Sequence, residues 1–120
     1  MAIRRRRSLR ALAVRNRAEA AEAADRAARA LASIEAEIVS IRGEMIAAEA
    51  VGRALATGSR SAALLEADAL HRSSRLERRR AFASRLEKLE SEARRGRADL
   101  DAAKEELARA IRAVEALKSH

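Results

Sequence analysis

Ala56-Thr57-Gly58-Ser59-Arg60-Ser61 stands at the midpoint of a 120-residue chain and separates two long stretches that both read as helix. Gly58 can take the left-handed conformation that closes a helix C-terminus, and the hydroxyl of Ser59 or Ser61 can accept from the first N–H groups of the next helix. Glu66 and Asp68 follow at the start of the second stretch, where the helix dipole favours acids. These residues predict a turn at 57–61 between helices at about 3–56 and 62–118, so the whole chain reads as one helical hairpin. The rival position is Gly52, which would end the first helix about one and a half turns sooner.

Composition agrees. There is no proline, charged residues make up 37% of the chain, and the 48% of hydrophobic residues are largely alanine. Such a chain forms long charged helices rather than strands. Phe82 is its one aromatic residue, so the buried surface is a narrow seam of Leu, Ile and Ala and not a thick core. The absence of cysteine excludes disulfides and thiolate metal sites. His71 and His120 cannot form a zinc site by themselves, and His71 reads as a solvated helix residue. No apolar run approaches the ~20 residues of a membrane span. The positive start lacks the apolar segment of a secretory signal, and it runs into the helix without the break expected of a presequence.

In the first half, Ala20, Ala24, Ala27, Leu31, Ile34, Ile38, Ile41, Met45 and Ala48 alternate spacings of four and three, which is a heptad seam. Extending it backwards would bring Arg17, Ala13 and Arg10 onto the seam and leave Leu9 and Leu12 outside, so a stutter near residue 16 is expected. In the second half the seam reads Leu86, Leu89, Ala93, Gly96, Leu100, Ala103, Leu107, Ala110, Val114 and Leu117. Between Leu65 and Phe82, arginines 72, 75 and 79 occupy positions that a regular seam would fill with apolar side chains. A fold at 57–61 pairs residues whose numbers add to about 120. It would set Leu31 against Leu89, Ile34 against Leu86, Ile38 against Phe82 and Ala24 against Gly96. Acid-to-base pairs four apart mark the outer faces: Glu22–Arg26, Asp25–Arg29, Glu49–Arg53, Asp68–Arg72, Glu90–Arg94 and Glu105–Arg109.

Charge is placed unevenly. Residues 1–17 carry seven arginines and no acid, whereas the remaining 103 residues carry 19 basic and 18 acidic groups. Nearly the whole net charge of +8 therefore lies at one end of the first helix. Seven like charges repel one another, and such a cluster points to an anionic partner. A weaker basic patch gathers Arg72, Arg75, Arg78, Arg79, Arg80 and Arg85. Nucleic acid is one candidate partner, but Phe82 alone gives no stacking platform and the central break interrupts a basic-zipper arrangement. An acidic protein surface, which arginine grips bidentately, fits equally well. A coiled-coil adaptor or chaperone hairpin is a third reading. The sequence shows no phosphate loop, no nucleophile–histidine pair and no paired buried carboxylates, so it reads as a non-enzyme without cofactor or small-molecule substrate.

A proline-free, basic chain that opens with arginines, continues through Leu9, Leu12, Val14 and the run Arg15-Asn16-Arg17-Ala18-Glu19, and folds back as an antiparallel coiled coil resembles the FliJ/YscO stalk proteins of type III secretion. The Arg-Ala-Glu step at 17–19 is the most specific part of the likeness. The resemblance implies a central stalk held in the hexameric secretion ATPase ring and reaching toward the export gate protein, with links to secretion chaperones. It implies a cytoplasmic protein peripheral to the inner-membrane apparatus. On that model the ATPase contact is made by Arg4, Arg5, Arg6, Arg7, Arg10, Leu12, Arg15 and Arg17, together with Arg112 and Lys118 of the 107–118 stretch. The turn would point away from the ring.

Overall fold

Two helices make up the computed structural model, which describes the backbone of residues 2–55 and 62–119 and the side chains of 2–53 and 70–119. Helix α1 spans Ala2–Leu55 and helix α2 spans Ala62–Lys118. They pack antiparallel as an all-α hairpin, and no strand occurs among the described residues. The expected turn at 57–61, its caps and the side chains of Glu66 and Asp68 lie outside what the structure describes. Gly52 does not end the first helix, because α1 continues to Leu55.

By packing, the chain divides into two compact units, one formed by residues 1–33 with 93–120 and the other by residues 34–92. In the first unit Ala13, Leu31, Ala93 and Val114 are buried; in the second, Ile38, Ile41 and Leu89 are. Each seam residue expected from the spacing is buried or half-buried, from Ala20 to Ala48 on α1 and from Leu86 to Leu117 on α2. Burial follows the heptads because only the a and d positions face the partner helix.

The seam does not stutter near residue 16. Ala13 is buried and Arg17 is half-buried, so the heptads run straight through, while Leu9 and Leu12 stay about half exposed, at 50% and 51%. Arginine can occupy such a position because its long stem covers apolar surface while its head reaches water.

The pairing register also departs from expectation. The numbers of Arg10 and Leu117, joined by a hydrogen bond, add to 127, and so do those of Gly52 and Arg75, which lie against each other. Glu49 and Arg79 give 128, and Arg42 and Glu90 give 132. The helices are thus displaced by about one heptad from the expected sum of 120, a shift that keeps seam on seam and so leaves no trace in the apolar pattern. Ile38 comes level with Leu89 rather than Phe82, and Leu31, not Ala24, comes level with Gly96. In the first unit most levels now match a large residue with a small one: Val114 with Ala13, Leu107 with Ala20, Leu100 with Ala27. In the second, two of the three seam arginines meet small residues, Arg79 level with Ala48 and Arg75 with Gly52. Such alternation fills the space between helices without forcing rotamers.

On the outer faces, Arg26 pairs with Glu22 at 3.9 Å, Arg29 with Asp25, and Arg109 with Glu105 at 4.0 Å and Glu106 at 2.7 Å. Glu49 and Glu90, expected to pair along their own helices, reach across to Arg79 at 3.9 Å and Arg42 at 3.0 Å. These pairs are well exposed, so each contributes at most about 1 kcal/mol.

A basic end with an apolar groove

The sequence places seven arginines in the first five turns of α1, and the helix distributes them around its circumference. Arg4, Arg5, Arg6, Arg7, Arg10 and Arg15 are exposed and Arg17 is half-buried. Helix α2 returns beside them in the same unit, bringing Arg112 and Lys118, both exposed, to this end. All the arginines expected to contact a partner are therefore gathered in one unit with the C-terminal turns of α2.

Arg10 ties the two helices together there. Its Nη2 donates to the carbonyl oxygen of Leu117 at 3.2 Å. The last carbonyls of a helix lack intrahelical donors and carry the negative end of its dipole, which makes them a natural seat for a guanidinium. Nearby, Ser119 donates its N–H and its hydroxyl to the Glu115 carbonyl, at 3.2 Å and 3.0 Å, and Lys118 pairs with Glu115 at 3.7 Å. Arg10 is consequently a structural tether as well as a surface charge.

Beside the basic run lies a groove between α1 and α2. Leu9, Leu12 and Asn16 form one wall, and Ala110, Ala113 and Leu117 form the other. Its rim carries Arg26 and Arg109 with Glu19 and Glu106. Leu12 was expected at the contact, and the structure gives it apolar company. Leu9, Ala113 and Ala116 also line the groove, within the 4–17 and 107–118 stretches expected at the contact but not singled out there. Their signal was present in the two leucines standing off the seam, which read as a slipped register when they are in fact the wall of a side groove.

The second basic patch resolves differently. In the 34–92 unit, Arg75, Arg78 and Arg79 line a small cleft floored by Met45, Ala48 and Phe82 and closed by Glu49. His71 is half-buried rather than solvated, and its Nε2 and the Nε of Arg75 are shielded from water with no hydrogen-bond partner. Among the described residues no group of three or more His, Cys, Asp or Glu could hold a metal ion. No helix among them is long and apolar enough to cross a membrane. His120 lies outside the described residues.

Arginines around an apolar groove can do two things at once. The guanidinium groups attract and orient carboxylates, and the groove buries an apolar side chain from the same partner, which adds affinity that salt does not screen. No protein-family model, curated protein or solved structure matches the chain.

Proposed function

We propose that the chain is a stalk of the type III secretion export apparatus, of the kind the FliJ/YscO proteins form. Its arginine-rich end binds the hexameric secretion ATPase, the hairpin couples that ring to the export gate protein, and secretion chaperones bind along it. The observation that carries this reading is the concentration of seven arginines, with no acid before Glu19, beside the Leu9–Leu12 groove and the end of α2. A one-sided charge suits a shaft in a symmetric ring, because successive subunits then meet different surfaces. Hydrolysis belongs to the ring, and the stalk biases its conformations by binding some of them better than others.

The groove favours a protein partner over nucleic acid, since a duplex backbone offers nothing apolar to fill it. The test is binding to a secretion ATPase ring, with duplex DNA as competitor. Replacing Arg4, Arg5, Arg6 and Arg7 by alanine is expected to weaken ring binding while helicity stays nearly unchanged. If DNA binds with a steep salt dependence and the ring neither binds nor hydrolyses faster, the proposal fails.

A further inference from the structure

The arginine cleft of the 34–92 unit is built on the seam itself. Arg75 and Arg79 hold seam positions on α2, Arg78 stands beside them, and Met45, Ala48 and Phe82 form the apolar floor. Three guanidinium groups here share a single acid, Glu49, which pairs with Arg79 at 3.9 Å. Among the described residues, neither Arg75 nor Arg78 makes an ion pair.

Arg75 is the least hydrated of the three. It is half-buried where Arg78 and Arg79 are exposed, it lies across Gly52, and its Nε is shielded from water without an acceptor. A guanidinium cannot shed its proton, so this charge is held where solvent compensates it poorly. An anion among such groups gains more than one at a fully solvated arginine, because part of the hydration it would displace is already lost.

The floor narrows the class of anion. A bare sulfate or phosphate would give up water over Met45, Ala48 and Phe82 and receive no hydrogen bond from them, whereas a hydrocarbon body gains contact there. The cleft is small, so that body is short.

We infer that this cleft binds a carboxylate carried on a short aliphatic body, with Arg75 and Arg78 gripping the carboxylate and Met45, Ala48 and Phe82 receiving the hydrocarbon. Two sources offer that chemistry: a free short-chain carboxylate, and the C-terminal residue of a polypeptide that ends in a small aliphatic side chain. The site does not use the arginine-rich end and stands apart from the function proposed above.

The test follows the methyl resonance of Met45, on the floor of the cleft, in the full chain; Met1 is the one other methionine. Butyrate is expected to shift it saturably, neutral butyramide to leave it in place, and sulfate to act at least about fivefold more weakly than butyrate. Joint substitution Arg75→Met and Arg78→Met is expected to abolish the response with circular dichroism unchanged. Arg78→Gln alone, at an exposed position, is expected to weaken butyrate about tenfold, and it serves should the double variant unfold. Arg94→Ala with Arg95→Ala, two exposed arginines outside the cleft, is expected to change nothing. N-acetyl-glycyl-valine separates the sources: tighter binding than butyrate names a chain terminus, weaker binding names the free carboxylate, and its C-terminal amide is expected to be silent in both cases. Equal responses to butyrate and butyramide, or a butyrate response that Arg78→Gln does not weaken, overturn the inference. So does a response lost in the Arg94/Arg95 variant, because the binding would then be to surface charge at large.

Discussion

Arg75 lies across Gly52. A Cβ at position 52 would stand 2.6 Å from the Arg75 Nη1 and 3.0 Å from its Cδ, too close for either atom to stay where it is. Alanine is favoured over glycine inside a helix by about 1 kcal/mol. Displacing Arg75 is expected to offset most of that gain, so Gly52→Ala should leave stability within a few tenths of a kcal/mol of the wild type. In an Arg75→Ala background the full gain of about 1 kcal/mol should appear. Equal effects of Gly52→Ala in the two backgrounds, by urea denaturation, would show that the residues do not couple.

The register is open to chemical test. Cysteines at Ile38 and Leu89, level with each other, are expected to form a disulfide on mild oxidation. Cysteines at Ile38 and Phe82, seven residues away from that level, are not expected to, because bridged Cα atoms lie within about 7 Å. Efficient crosslinking of the second pair in place of the first would restore the sum of 120.

The unbroken seam at the basic end separates residues that hold the fold from residues left for a partner. Val114 is 1% exposed, so its replacement by alanine is expected to cost about 2 kcal/mol. Leu9 and Leu12 are half exposed, and replacing each by serine should shift stability by no more than about 0.5 kcal/mol while weakening partner binding. A large stability loss at Leu12 would put it back on the seam.

Arg10 donates to a backbone acceptor on α2, the Leu117 carbonyl. Arg10→Ala is expected to lower hydrogen-exchange protection in the last turn of α2, with a global cost of about 0.5–1 kcal/mol. Arg5→Ala should leave that turn as it was. If both substitutions behave alike, the tether is not made in solution.

Helix content and seam membership were legible because they depend on spacing alone, and spacing is a property of the string. The identities of Leu31, Ile38, Leu89 and Val114 as seam residues followed directly. What spacing does not encode is the offset between the two helices, since a slide of seven residues maps the pattern onto itself. Leu9 and Leu12 were misread for a related reason. A leucine off the seam has two explanations, a change of register or a second use of the surface, and only burial at Ala13 and Arg17 separates them. His71 was misread because the sequence gives no sign that its ring nitrogen is shielded.

The matching of large to small residues carries a further consequence. Slid by one heptad, the 34–92 unit would take Gly52 from beneath Arg75 and offer it Asp68, leaving a void beside a carboxylate; the other unit would bring the methyls of Val114 against Arg6 in place of Ala13. The mesh at a sum of 120, which the apolar pattern alone admits, is therefore disfavoured in the 34–92 unit by the loss of the Gly52–Arg75 fit.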